Sequence, residues 1–81
     1  MLNYDLKIKE IRKEKGISQE VLAKMINTKQ QMISRYEMNL ISPTLDRLVE
    51  IARFLEVSLD QLVVIKSIHD NHSKDLIKKT K

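Results

Sequence analysis

Turn-forming residues are scarce in this chain, and their scarcity constrains the fold more than any other feature. The 81 residues include one glycine, Gly16, one proline, Pro43, and no cysteine. An all-β domain needs many tight turns, which glycine and proline usually form. A core this small is often supplemented by disulfides, a zinc–thiolate site, close helix packing or oligomerisation, and without cysteine only the last two remain. We therefore expect an all-α domain supported by helix packing or by a second subunit.

The spacing of apolar residues predicts a first helix that begins near residue 3 or 5. Tyr4, Ile8 and Ile11 recur at i, i+4 and i+7, which is the apolar stripe of an amphipathic helix. Gly16 follows Lys15 and can adopt the positive φ that often ends a helix. The first helix is thus expected to end at Lys15.

Four further helices are predicted, three of them from capping residues. Ser18, Thr44 and Ser58 each precede a run with helical periodicity and can accept a hydrogen bond from the first-turn amides. A third helix is expected to begin at Thr28 or Lys29, and the fifth to continue to about residue 65. The result is a compact five-helix domain over residues 1–66, followed by a basic, polar tail over 67–81 that is partly disordered or forms a short helix.

Several classes of protein are disfavoured by the sequence. The longest apolar run, Leu62 to Ile65, is far too short to cross a bilayer, and the N-terminus lacks the apolar stretch of a signal peptide. We expect a cytoplasmic protein with no membrane partner. Both histidines, His69 and His72, lie in the tail, so no catalytic arrangement falls on a predicted helix and an enzyme is not expected. Two histidines without cysteine are a weak metal signal, and we predict no metal or cofactor.

The charge is unevenly distributed along the chain. Residues 1–35 carry eight lysines and arginines against four acids, whereas residues 36–65 carry two against five. Residues 66–81 carry five lysines against two aspartates. A basic first half beside an acidic middle suggests that one face meets a polyanion. Ordinary solvated helix faces would give the same pattern, so charge leaves both interpretations open.

The segment 18–37 carries the clearest functional pattern. Two short helices joined by about three residues form a helix-turn-helix, whose second helix fits a DNA major groove about 12 Å wide. Apolar residues at helical spacing can fix the crossing of the two helices: Leu22, Ala23, Ile26, Ile33 and Tyr36. The start of the second helix is then free to project towards DNA.

A longer series of residues identifies a family. In order they are Ile11-Arg12, Lys15-Gly16-Ile17-Ser18-Gln19, Leu22-Ala23, Ile33-Ser34-Arg35-Tyr36-Glu37, Pro43-Thr44-Leu45, Leu48, Ile51-Ala52, Leu55 and Val57-Ser58-Leu59-Asp60-Gln61-Leu62. From residue 6 to about 62, the chain resembles the Cro/C1-type, XRE-like helix-turn-helix family of phage repressors and bacterial regulators. The resemblance implies a five-helix, lambda-repressor-like fold that usually binds operators as a symmetric dimer.

The resemblance also implies which residues meet DNA. It implies that Gln19 contacts a phosphate and that Lys29 and Ser34 lie near the DNA backbone or the groove edge. The residues implied to contact base edges are Gln30, Gln31 and Arg35. These residue types suit the task, since glutamine can bond adenine and arginine can bond guanine through two hydrogen bonds each. The alternative is that they are solvent-facing polar residues without a partner.

Two further residues, Arg12 and Glu37, are implied to form a structural ion pair that ties the first helix to the third. The chain departs from the family at Lys29, where a serine or threonine usually caps the third helix, so that Thr28 is a candidate cap. It also departs at Leu40 and Ile41, where many relatives carry basic residues that touch phosphates. These two apolar residues either contact a second subunit or fold onto the domain.

Surplus apolar residues on the fifth helix and its continuation predict a homodimer. The expected interface residues are Leu62, Val63, Val64 and Ile68. The favoured function is a transcriptional regulator, such as a repressor, that binds an inverted-repeat operator in double-stranded DNA and blocks or recruits RNA polymerase. The alternative is an antitoxin that binds a toxin protein and regulates its own promoter.

Overall fold

Five helices and two short strands make up residues 4–66, the part of the chain that this computed structural model describes. In chain order they are β1 (Tyr4–Leu6), α1 (Ile8–Glu14), α2 (Gln19–Met25), α3 (Gln30–Glu37), α4 (Leu45–Leu55), α5 (Leu59–Leu62) and β2 (Val63–Ile65). The predicted five-helix architecture is confirmed for these residues. The two strands were not expected.

The three predicted caps are present. Ser18 Oγ accepts a hydrogen bond from the backbone N–H of Val21, and Thr44 Oγ1 accepts one from Arg47. Ser58 forms a capping box, because the Gln61 side chain also accepts from the Ser58 N–H. Each such cap stabilises a helix by about 1 kcal/mol. Short helices therefore begin where the sequence places these hydroxyls.

The start of α3 differs from the prediction. Lys29 is the N-cap residue, and no side chain among residues 4–66 accepts a hydrogen bond from the first turn of this helix. Thr28 does not take over as the cap. Instead its N–H donates to the carbonyl of Ala23 at 2.8 Å and closes the turn after α2.

Four residues with positive φ end helices or turns. Gly16 has a φ of 70°, as predicted for the end of α1, and Asn27 has a φ of 58° after α2. Asn39 and Glu56 follow α3 and α4 with φ of 60° and 59°. This conformation costs glutamate more free energy than it costs glycine or asparagine.

The first helix begins later than predicted, because residues 4–6 form a strand. β1 pairs antiparallel with β2, with Tyr4 opposite Ile65 and Leu6 opposite Val63. Leu6 is buried and Tyr4 is half-buried, and the two residues are separated by the two-residue period of a strand. The helical period starts only at Ile8. The apparent stripe that began at Tyr4 thus combines two kinds of structure.

The fifth helix is also shorter than predicted, since it ends at Leu62 and the chain turns into β2. Val63, Val64 and Ile65 are all β-branched, and such residues favour extended backbone. The Lys7 N–H donates to the Leu62 carbonyl at 2.8 Å and extends the ladder by one pair. The sheet therefore joins the beginning of the domain to its end.

The core lies between the helices, and among residues 4–66 its buried members are apolar apart from Arg12. Its completely buried side chains come from α1 to α5: Ile8, Leu22, Ile33, Ile51, Leu55 and Leu62. The prediction that Leu62 lies in a dimer interface is wrong, because its side chain has no exposed surface to offer a partner. Val63 is half-buried and Val64 is exposed, both on β2 rather than on a helix.

Some predictions fall outside the described residues. They are the interface residue Ile68, the histidine pair His69 and His72, and the basic tail over 67–81. Among residues 4–66, no helix has the length and apolar character that a membrane span needs.

Candidate nucleic-acid interface

Helices α2 and α3 form a helix-turn-helix whose inner surfaces are fully packed. Leu22 and Ala23 on α2, Ile26 in the turn, and Ile33 and Tyr36 on α3 are all buried. These are the five residues that the sequence predicted for this role. Because alanine adds little bulk at position 23, the two helices can approach closely there.

A buried ion pair fixes the far end of α3 against α1. Arg12 donates from Nε to Glu37 Oε2 at 2.8 Å and from Nη2 to Glu37 Oε1 at 3.1 Å. The two side chains are 9% and 3% exposed. Arg12 Nη1 donates to the carbonyl of Ile17 at 2.9 Å, which also secures the turn before α2. The structure thus brings together the two residues that the resemblance paired.

Glu37 also holds Gln19, at the start of α2. Gln19 Nε2 donates to Glu37 Oε1 at 2.9 Å, and Gln30 Nε2 donates to Gln19 Oε1 at 3.3 Å. A carboxylate only accepts, so Gln19 must direct its nitrogen towards Glu37 and its oxygen towards Gln30. Gln30 must then present its nitrogen to Gln19. One continuous hydrogen-bond chain therefore runs from the buried arginine to the first residue of α3.

Sequence reasoning did not find this connection. It placed Gln19 against DNA and Glu37 against Arg12, as two separate relationships. The available signal was that Gln19 directly follows the cap of α2, so its side chain could reach across to the neighbouring helix.

The outer surface of α3 carries the predicted base-reading residues. Gln30, Gln31 and Arg35 are exposed, Ser34 is half-buried, and Lys29 is exposed at the flank. Gln31 and Arg35 are four apart and therefore lie on one face of the helix. A shallow depression beside this face is lined by Asn27, Thr28, Lys29, Gln31, Met32 and Arg35. Asn27 and Thr28, which sequence reasoning left out of the site, thus border the same surface.

The loop after α3 is apolar and exposed. Leu40 is 67% exposed and Ile41 is 38% exposed, so Leu40 does not fold onto the domain. Met38, at the end of α3, is also exposed. Tyr4 Oη lies 3.1 Å from Ser42 Oγ, which places β1 next to this loop.

Comparison with known proteins agrees with this geometry. The helix-turn-helix family matches residues 8–62, and no curated protein matches significantly. A candidate DNA-binding protein from Bacteroides fragilis is 33% identical, with a TM-score of 0.71, over 74% of this chain and 97% of its own.

Two structures solved with DNA are also similar. The P22 c2 repressor bound to a synthetic operator is 30% identical, with a TM-score of 0.63, over 67% of this chain and 82% of its own. SinR, a master regulator for biofilm formation, is 35% identical in its complex with DNA, with a TM-score of 0.61, over 65% of this chain and 86% of its own. The chain therefore belongs to the Cro/C1-type helix-turn-helix family of DNA-binding transcriptional regulators.

Proposed function

We propose that this protein binds an inverted-repeat operator as a homodimer and that α3 of each subunit reads bases in the major groove. The observation that supports this most is the hydrogen bond from Gln30 to Gln19, which is itself held by Glu37. It orients an exposed amide before any DNA arrives. A side chain oriented in advance loses less conformational freedom when it binds.

The remaining groups of Gln30 match adenine. An amide nitrogen has two N–H donors, and one of those on Gln30 is used by Gln19. The other can donate to adenine N7 while the amide oxygen accepts from adenine N6. Gln30 can therefore make both contacts to the base without releasing Gln19.

Gln19 is proposed to hold a phosphate at the same time. One of its N–H groups donates to Glu37, and the second remains for a phosphate oxygen. Lys29 precedes α3 and Ser34 lies within it, and both are proposed to contact the backbone or the groove edge. Gln31 and Arg35 are proposed to read further base pairs, with arginine suited to guanine.

Selection of binding sites from random duplex DNA tests this function. We expect an inverted repeat whose half-sites lie about 10 base pairs apart, centre to centre. This is one helical turn, so the two symmetric reading helices enter successive major grooves on the same face of the DNA. Repeating the selection with Gln30→Ala should remove the preference at one position of each half-site. Enrichment of no motif, or of the same motif by the variant, contradicts the proposal.

The mode of regulation follows from operator position. A bound dimer that overlaps a promoter blocks RNA polymerase, and one placed beside the promoter can recruit it. Transcription from a promoter that carries the selected site, measured with and without the protein, distinguishes repression from activation.

A second candidate, an antitoxin, is favoured by the loop after α3. Its exposed Leu40 and Ile41 offer an apolar surface where a toxin protein could dock. Co-expression with the product of the adjacent reading frame tests this function. A stable heterocomplex that Leu40→Ser dissociates supports the antitoxin function. Absence of any complex contradicts it and leaves operator binding as the proposed function.

A further inference from the structure

Within residues 4–66, no strand pairs with the outer edge of β2. In an antiparallel pair, directly opposite residues alternate between hydrogen-bonded and non-bonded pairs. The Lys7 N–H bonds to the Leu62 carbonyl, and the register pairs Asp5 with Val64 two positions further on. Asp5 and Val64 therefore form the next bonded pair. The backbone groups of Val63 and Ile65 point to the other side, away from β1.

Three of these four outward groups have no backbone partner within residues 4–66. The Val63 N–H donates to the carbonyl of Leu59. The carbonyl of Val63 and both the N–H and the carbonyl of Ile65 have none among the described backbone hydrogen bonds. The strand thus presents an acceptor and, two residues later, a donor.

The side chains of this strand leave the edge unprotected. Ile65 is 78% exposed and Val64 is 42% exposed, and no charge or proline interrupts the strand. Natural edge strands usually carry a charge, a proline or a bulge that prevents pairing with another chain. An edge without these features favours the addition of a strand.

We propose that β2 pairs antiparallel with β2 of a second copy, forming a four-stranded sheet across the twofold axis. This inference rests on the proposed homodimer and specifies its interface. Self-pairing is favoured because the edge is complementary to itself. With the axis beside Val64, each Ile65 N–H lies opposite the Val63 carbonyl of the other copy.

Charge favours the same partner. In this register Lys66 lies opposite Leu62 of the second copy, so the two lysines do not face each other. Lys66 also lies 3.6 Å from Asp5 of its own chain, which offsets its charge. The hydrogen bond between Tyr4 and Ser42 places the sheet beside the loop that follows α3. This contact is made by β1 and does not involve the outer edge of β2.

Cysteine cross-linking tests the interface directly, because the natural chain contains no cysteine. In a non-bonded antiparallel pair the Cα atoms lie about 4.5 Å apart, which a disulfide can bridge. Val64→Cys should form a disulfide-linked dimer under mild oxidation. Leu45→Cys, an exposed position on α4, is the matched control and should stay monomeric on a non-reducing gel.

Charge substitution gives a second, independent readout. Ile65→Lys should raise the dimer dissociation constant by about tenfold or more in sedimentation, because it places a charge where an apolar side chain becomes buried. Leu45→Lys changes a side chain of similar exposure, 67%, and should have little effect. If Leu45→Lys dissociates the dimer and Ile65→Lys does not, the interface lies elsewhere and the proposal is overturned.

Other results separate this inference from the proposed function. A wild-type dimer that selects an inverted repeat but gives no Val64→Cys cross-link overturns the strand pairing and leaves operator recognition intact. A Val64→Cys cross-link in a protein that selects no DNA motif supports the pairing and contradicts the function. If cross-linking appears only after removal of residues 67–81, the edge is occupied by the protein's own C-terminal segment, which also overturns the proposal.

Discussion

Gln19 Nε2 lies 2.9 Å from Glu37 Oε1, so the carboxylate that neutralises Arg12 also orients the amide at the start of α2. That amide in turn accepts a hydrogen bond from Gln30. The residue proposed to read a base is thus connected to a buried ion pair that stabilises the fold. Specificity and stability are expected to be coupled through this chain of contacts.

A double-mutant cycle at Gln19 and Gln30 measures this coupling. Gln30→Ala should lower affinity for the selected base by about 1–3 kcal/mol. Gln19→Ala should weaken binding to all sequences through loss of a phosphate contact, and should also reduce the preference at the Gln30 position. We expect an interaction energy of about 0.5–3 kcal/mol, measured by titration of DNA with each variant. Strict additivity contradicts the shared role.

Glu37→Gln tests the buried pair. Removal of one charge leaves Arg12 buried without an anionic partner, which should lower the free energy of unfolding by about 3 kcal/mol. Chemical denaturation measures the change.

The matched control for that substitution is Glu50→Gln. Glu50 pairs with Arg47 at 2.9 Å, but its side chain is 53% exposed, so the loss should stay below about 1 kcal/mol. Equal losses at the two positions would show that burial of the Arg12 pair adds nothing.

The sequence predicted the helices well because their signals are local. Ser18, Thr44 and Ser58 lie beside the amides that they cap, and Gly16 ends α1 through its own φ. The strands were missed because pairing of Tyr4 with Ile65 depends on residues at opposite ends of the domain.

The candidate site was predictable in its residue types but not in its connections. The resemblance assigned Gln19, Gln30 and Glu37 to separate contacts. Only the three-dimensional arrangement shows that α2 places Gln19 between the other two. Burial of Leu62 was equally unpredictable, since the run Leu62 to Ile65 gives no sign of which residue faces inwards.

Glu56→Gly should stabilise the fold. Glu56 ends α4 with a φ of 59°, a conformation that costs most residues about 1–2 kcal/mol and costs glycine nothing sterically. Glycine also has more conformational freedom in the unfolded chain, which offsets part of this benefit. We therefore expect a net gain of about 1 kcal/mol in the free energy of unfolding. The same replacement at Asn27 should give less, since asparagine tolerates positive φ better. A loss of stability in Glu56→Gly contradicts this account.

Gly16→Ala provides the opposite change in the same conformation. An added Cβ at Gly16 meets nothing within 4 Å, so any cost comes from its φ of 70° alone. We expect a loss of about 1 kcal/mol in thermal or chemical unfolding. An unchanged unfolding free energy would show that left-handed backbone is not strained in this chain.

The salt dependence of DNA binding should separate phosphate contacts from base contacts on α3. Each phosphate that a cation neutralises adds about −0.9 to the slope of log affinity against log salt. Lys29 and Gln31 are both exposed and are two residues apart, but only Lys29 carries a charge. Lys29→Ala should therefore make the slope shallower by about 1 and weaken binding to all sequences alike. Gln31→Ala should leave the slope unchanged and relax preference at one base pair. If both variants give the wild-type slope, Lys29 contacts no phosphate, and the edge of the interface must lie nearer to Gln31 and Arg35.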